Sequence, residues 1–67
     1  MSPYDNTPAD AHEYLKALGI PKDDLRWQTM MFWRGIITLS ELEAAGVTDW
    51  QAAIAALDAD ITTWLLA

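Results

Sequence analysis

The apolar residues of this chain recur at helical spacing in four successive segments, and no segment shows the alternation of a half-buried strand. The first segment begins at Thr7 and Pro8, in the order of an N-cap and a first-turn proline, and it ends at Gly19. The second covers about residues 23–34, with two aspartates at its start and Arg34 at its end, as the helix dipole favours. Gly35 predicts its end.

The third and fourth segments each begin with the pattern of a capping box, in which a threonine is followed three residues later by Glu or Gln. Thr38 and Glu41 predict a third helix that runs to about residue 45, and Thr48 and Gln51 predict the start of a fourth. The fourth segment is the longest. The pattern therefore predicts an all-α fold, a compact bundle of four short helices with a longer C-terminal helix.

The longest helix has a narrow apolar stripe whose members are separated alternately by four and three residues, as in a coiled-coil seam. The stripe consists of Trp50, Ile54, Leu57, Ile61 and Trp64. We expect this stripe to face the core.

Two glycines carry a further signal for helix ends. Gly19 and Gly46 each precede an aliphatic residue, Ile20 and Val47. This is the pattern of a Schellman helix end, in which the glycine adopts a positive φ angle. We therefore expect the first and third helices to end in this way.

Length and composition indicate one small domain. The 67 residues are 52% apolar and include no cysteine, which excludes disulfides and thiolate metal sites. We expect residues 1–6 to be a disordered tail and residues 7–67 to form a single helical domain. The first ten residues are polar and contain two prolines, unlike a secretory signal, and every apolar run is too short to span a membrane. We therefore expect a cytoplasmic protein that makes no membrane contact.

Charge is unevenly distributed along the chain. Ten acidic side chains outnumber four basic ones, and residues 35–67 contain acids but no base. Proteins bind nucleic acid by neutralising its phosphates with lysine and arginine, which the C-terminal half lacks. We therefore expect no nucleic-acid partner.

Residues suited to catalysis or metal binding are scarce. His12 is the only histidine, and neither Ser2 nor Ser40 lies in a nucleophile elbow or a glycine-rich turn. Asp58 and Asp60 are two residues apart on one helix and point roughly 200° away from each other, so they make no metal site by themselves. We expect no enzyme activity, no cofactor and no bound metal.

Several segments together resemble the sterile alpha motif (SAM) domain, a small helical bundle used for protein–protein association. Residues 12–20, HEYLKALGI, are similar to the first helix of that family, and residues 39–47, LSELEAAGV, resemble the segment that leads into its long last helix. Phe32 matches its central phenylalanine, but too few residues follow it for the family's additional short helix. The resemblance implies association through the loop before the last helix and the start of that helix, which here are Val47, Thr48, Asp49 and Trp50.

The second helix has two apolar stripes on opposite faces when its residues are placed at about 100° intervals. One stripe contains Leu25, Phe32 and Ile36, and the other contains Trp27, Met30, Met31 and Arg34. We predict that the second stripe faces outward and binds a partner, because tryptophan, methionine and arginine are typical of interface centres. The alternative is that the first helix covers this stripe and that all four of its residues belong to the core.

The leading functional hypothesis is a non-catalytic protein–protein interaction module, acting as an adaptor, inhibitor or assembly factor through an apolar Trp/Met patch. Four tryptophans, three methionines and one phenylalanine are more apolar surface than a domain of this size easily covers. A homo-oligomer is a second form of partner that this hypothesis allows. The alternative hypothesis is an acidic decoy protein that occupies a nucleic-acid-binding site on a basic host protein, which the net charge of -6 permits.

Overall fold

The computed structural model describes residues 6–67, and within this range the chain forms four α-helices and no strand. They are α1 (Pro8–Ala17), α2 (Leu25–Trp33), α3 (Leu39–Ala44) and α4 (Trp50–Leu66). The last helix is the longest, with 17 residues. The predicted all-α fold with a longer last helix is confirmed. In the described part of the chain, none of the helices has the length and apolar character needed to cross a lipid bilayer.

Side-chain hydrogen bonds explain where all four helices begin, and Asp24 is the N-cap of α2. The capping boxes of α1 and α3 pair Thr7 with Asp10 and Thr38 with Glu41. The start of α4 differs from the prediction, because Asp49 rather than Thr48 is its N-cap and accepts a hydrogen bond from the backbone N–H of Ala52 at 3.1 Å. A carboxylate at this position also interacts favourably with the positive end of the helix dipole, which explains why Asp49 rather than Thr48 is the N-cap.

The helix ends at Gly19 and Gly46 are those that the sequence predicts. Gly19 has a φ of 65° and Gly46 a φ of 115°. After Gly19, the backbone N–H of Ile20 donates to the carbonyl of Leu15 at 3.1 Å, which is the long hydrogen bond of a Schellman motif. The residue after Gly46 makes the equivalent bond. Both predicted helix ends are therefore confirmed.

Helix α2 occupies the centre of the bundle. It packs against each of the other three helices, and α1 and α4 also pack against each other. The main core cluster combines residues of α1, α2 and α4: Ala11, Tyr14, Leu15, Trp27, Met30, Leu57 and Ile61. The predicted stripe on α4 faces this core, since Ile54, Leu57 and Ile61 are buried and the tryptophans at its two ends are half-buried.

The first described residue, Asn6, is fixed to α4 by hydrogen bonds. Its backbone N–H donates to Oδ1 of Asp58 at 3.0 Å, and its Nδ2 donates to Oγ1 of Thr62 at 2.7 Å. These contacts cover Asp58, which is only 8% exposed. Asn6, the last residue of the predicted tail, therefore contacts the helical domain. The remainder of that tail, residues 1–5, lies outside the described residues.

Candidate protein-binding grooves

Helix α2 buries part of the stripe that is predicted to face outward, in addition to Thr29 on its other face. Trp27 is 5% exposed and Met30 is 2% exposed, whereas Leu25 and Ile36 of the opposite stripe are 45% and 59% exposed. The predicted outward orientation is therefore wrong for Trp27 and Met30. The physical reason is the apolar surface area that is buried. The indole of Trp27 and the thioether chain of Met30 remove more apolar surface from water than aliphatic residues at or beyond the ends of a short helix.

The other two residues of the predicted surface remain accessible. Met31 is half-buried at the edge of the core cluster, and Arg34 is exposed where α2 ends. The alternative in which α1 covers the whole stripe therefore describes Trp27 and Met30 but not Met31 and Arg34.

All four residues of this stripe nevertheless line one open groove. We call it the Trp/Met groove; it measures about 290 Å³ and is lined by His12, Lys22, Trp27, Met30, Met31, Arg34 and Ile36. Trp27 and Met30 form its buried floor. Met31, Arg34 and Ile36 supply surface that a partner can reach.

Trp27 is held in place from three directions. Its Nε1 donates a hydrogen bond to the carbonyl of Ile20 at 2.7 Å, and the ring of His12 packs edge-to-face against it with 5.7 Å between ring centroids. The ammonium group of Lys22 lies 4.0 Å from the centroid of the indole, in cation–π geometry. The floor of the groove is therefore formed without a partner, which reduces the entropy lost on binding.

A second hollow adjoins the Trp/Met groove. It measures about 430 Å³ and shares His12, Lys22 and Trp27 with the groove. Lys16 and Ile20 also line it. Together the two hollows form a continuous surface between α1 and α2, with basic side chains along an apolar base.

Arg26 lies on the other flank of α2, where Asp24 neutralises it. Its Nε and Nη2 donate to the two carboxylate oxygens of Asp24 at 3.0 and 3.1 Å. These side-chain hydrogen bonds lower the pKa of Asp24, and the same bonds raise the pKa of Arg26. Asp24 is also the N-cap of α2, since its Oδ1 accepts from the backbone N–H of Arg26 at 2.8 Å.

The predicted partner residues at the start of α4 lie away from the Trp/Met groove. Asp49 lines a groove between α2 and α4, about 350 Å³ in volume, together with Leu25, Arg26, Ala53, Asp60 and their neighbours. Trp50 does not line that groove, because its ring packs edge-to-face against Phe32 with 5.5 Å between centroids. Of the four residues that the SAM resemblance implies, Val47, Thr48 and Asp49 therefore line this groove and Trp50 does not.

Among residues 6–67, no group of three His, Cys, Asp or Glu side chains is placed to hold a metal ion. His12 contacts the indole of Trp27 and lies 4.0 Å from a carboxylate oxygen of Glu13. Its ring therefore contributes to the wall of the groove.

Sequence reasoning missed three residues of the Trp/Met groove: His12, Lys22 and Ile36. Lys22 lies before the N-cap of α2, so helical periodicity does not relate it to Trp27. The turn at residues 21–24 brings the two together. His12 is signalled in the sequence by its position on α1 beside the buried Ala11 and Leu15. Helical spacing places Ile36 on the opposite stripe only if the helix continues past Gly35, and α2 ends before that residue.

Comparison of the chain with protein-family models, with curated proteins and with solved structures finds no match.

Proposed function

We propose that this chain is a non-catalytic protein–protein interaction module that binds a protein partner in the Trp/Met groove. The observation that carries the proposal is an open groove with a preformed apolar floor and accessible apolar and cationic side chains at its edge. Tryptophan, methionine and arginine are enriched at interface centres, and contiguous apolar surface with a polar rim marks a binding site. As part of this proposal, the domain acts in the cytoplasm.

Ile36 is the residue that makes the groove most accessible to a partner. It is 59% exposed, it follows the end of α2, and it lines the groove beside Arg34. A partner side chain that covers Ile36 and Met31 would remove apolar area from water at about 25 cal/mol per Å². The resemblance to SAM domains, whose role is association, also supports a binding function.

The alternative, an acidic decoy for a nucleic-acid-binding site, has less support. A decoy needs exposed carboxylates that can stand in for phosphates. Asp58 is buried against Asn6, Asp24 is paired with Arg26, and Asp49 caps α4. Fewer of the ten acids are therefore free for a basic host protein than the composition alone indicates.

The proposal can be tested with two substitutions that place the same charge on equally accessible apolar positions. Ile36→Glu alters the edge of the groove, and Leu65→Glu alters the end of α4, where the leucine is 53% exposed and lines none of the described grooves. The parent chain and both variants are used as bait in native lysate, with mass spectrometry of the captured proteins. Circular dichroism melts of each variant verify folding.

We expect a partner that is retained by the parent and by Leu65→Glu but lost by Ile36→Glu. Analytical ultracentrifugation of the same three proteins tests whether that partner is a second copy of the chain. Equal capture by both variants, with both folded, would show that the Trp/Met groove is not the binding site.

A further inference from the structure

We infer that the Trp/Met groove takes a segment of a partner protein that combines apolar side chains with carboxylates. This inference rests on the proposed function and adds the chemistry of the partner. The inference rests on three observations: the positions of the basic side chains, the absence of carboxylate partners for those at the groove, and the apolar surface between them.

Positive charge is concentrated on this side of the domain, although the net charge of the chain is -6. Lys22 and Arg34 line the Trp/Met groove, and Lys16 lines the adjoining hollow. The remaining basic residue, Arg26, lines the groove between α2 and α4. Three of the four basic residues of the chain therefore surround the floor formed by Trp27.

These three cations have no carboxylate partner within the described residues. The carboxylates that contact a basic side chain there are Asp24, which pairs with Arg26, and Glu13, which lies 4.0 Å from the imidazole of His12. Glu13 itself lines neither hollow, and its side chain is 68% exposed. A partner's carboxylate would therefore not have to displace an existing ion pair of Lys16, Lys22 or Arg34.

The helix dipole accounts for two of the cations but not for the third. Lys16 lies in the last turn of α1 and Arg34 caps the C-terminus of α2, where positive charge is favourable. Lys22 instead lies just before the N-terminus of α2, the end of the dipole that disfavours a cation. Its position over the indole of Trp27 places this charge at the groove.

The apolar base between the cations determines the rest of the partner's chemistry. Met31 and Ile36 offer apolar surface beside Arg34, whose planar guanidinium can bind a carboxylate through two parallel hydrogen bonds. Acids elsewhere on the domain act weakly here, because charges are screened beyond about 8 Å at physiological ionic strength. A free anion would leave the apolar surface uncovered. A protein segment with both leucine-like and acidic side chains covers both parts.

The test uses three synthetic peptides of equal length that differ only at the same two positions. Each has leucines as anchors, and the variable positions hold glutamate, glutamine or lysine. Binding to the full chain is measured by fluorescence anisotropy at low and at physiological salt. Because an exposed ion pair changes affinity by about 1.4- to 5-fold, and two positions vary, we expect the glutamate peptide to bind about 2- to 25-fold tighter than the glutamine peptide. This preference should shrink as salt is added, and the lysine peptide should bind most weakly.

Two double variants assign that preference to the groove. Lys22→Gln with Arg34→Gln removes the two cations of the Trp/Met groove. Ala52→Glu with Ala55→Glu changes the net charge by the same amount at exposed positions of α4 that line none of the described grooves. We expect the first pair to abolish the preference for the glutamate peptide and the second pair to retain it. Thermal melts verify that both proteins fold.

The outcomes separate this inference from the proposed function. Equal binding of the glutamate and glutamine peptides, or retention of the preference in the Lys22 and Arg34 variant, would overturn the inference while leaving a protein-binding groove. Tighter binding of a short oligonucleotide than of the glutamate peptide would also overturn it, in favour of a phosphate backbone. If none of the three peptides binds but Ile36→Glu still loses a captured partner, only the inference is overturned. If none of the peptides binds and Ile36→Glu loses no partner, both proposals are overturned.

Discussion

Replacement of Leu57 by alanine tests the packing of the longest helix against the rest of the domain. Leu57 is 2% exposed and belongs to the core cluster formed by α1, α2 and α4. Truncation of a buried leucine to alanine costs about 2–5 kcal/mol, because apolar area is lost and a cavity remains. A domain of this length has a stability of roughly 3–10 kcal/mol. The substitution therefore removes a large share of the free energy of unfolding.

The surroundings of Leu57 narrow the expected loss of stability on truncation to alanine. Leu57 also lines the open groove between α2 and α4, where the small side chains of Ala53 and Ala56 lie beside it. Neighbouring side chains and water can enter such a site more easily than a closed interior, and the cost of truncation falls as the site collapses. We therefore expect a loss of about 2–3.5 kcal/mol, in the lower part of the range.

Leu65→Ala is the matched control, because it makes the same change in the same helix at a residue that is 53% exposed. Exposed substitutions of this kind change stability by about 0.5 kcal/mol or less. Urea unfolding followed by far-UV circular dichroism gives both values, and equal m-values would show that the two transitions are comparable. The Leu57 variant should also melt roughly 8–28 °C below the parent. A loss no larger than that of Leu65→Ala would refute the described packing of α4.

Three further substitutions test a helix end, an ion pair and a buried carboxylate. Gly46→Ala should lower the free energy of unfolding by about 1–3 kcal/mol, and by more than Gly19→Ala does, because a φ of 115° is less accessible to an L-residue than a φ of 65°. Urea unfolding of the two variants in parallel compares these losses. Asp24→Asn keeps the N-cap but loses the ion pair to Arg26. Folding lowers the pKa of Asp24, so the parent should be more stable than the variant above about pH 4, and this difference should vanish as the pH falls through the folded-state pKa. Equal pH–stability curves for parent and variant would contradict this. Asp58→Ala leaves a part-buried N–H without its acceptor and should cost about 1–3 kcal/mol, against no measurable cost for Asp60→Ala in the same denaturation assay.

The helix boundaries could be predicted from the sequence because their signals are local. A threonine followed by an acid three residues later satisfies backbone groups within one turn, as Thr38 and Glu41 do. A glycine followed by an aliphatic residue ends a helix in the same local way at Gly19 and Gly46. The predicted start of α4 is wrong by one residue because Thr48 and Asp49 are adjacent N-cap residues, and the capping-box pattern alone does not choose between them.

The burial of Asp58 could not be predicted from its own helix. Asp58 is next to Leu57 but outside the apolar stripe, and helical spacing alone places Asp58 and Asp60 as two diverging carboxylates. Its burial depends on Asn6, which is 52 residues away in the chain and contributes the hydrogen-bond donor. A contact of this sequence separation has no periodic signature, so only the packed structure reveals it.

The orientation of α2 explains why the candidate site was only partly predictable. Tryptophan and methionine are common both in cores and at interface centres, so the composition of a stripe does not tell whether it faces inward or outward. In α2 the stripe with Trp27 and Met30 faces the core, and the groove forms where that stripe reaches the surface between Lys22 and Ile36. Both of these edge residues lie outside α2, one in the preceding turn and one beyond the helix end. Helix α2 thus forms the buried floor of the groove, whereas the turns at its two ends determine how a partner reaches that floor. Substitutions in those turns are therefore the ones that can alter binding without disrupting the core.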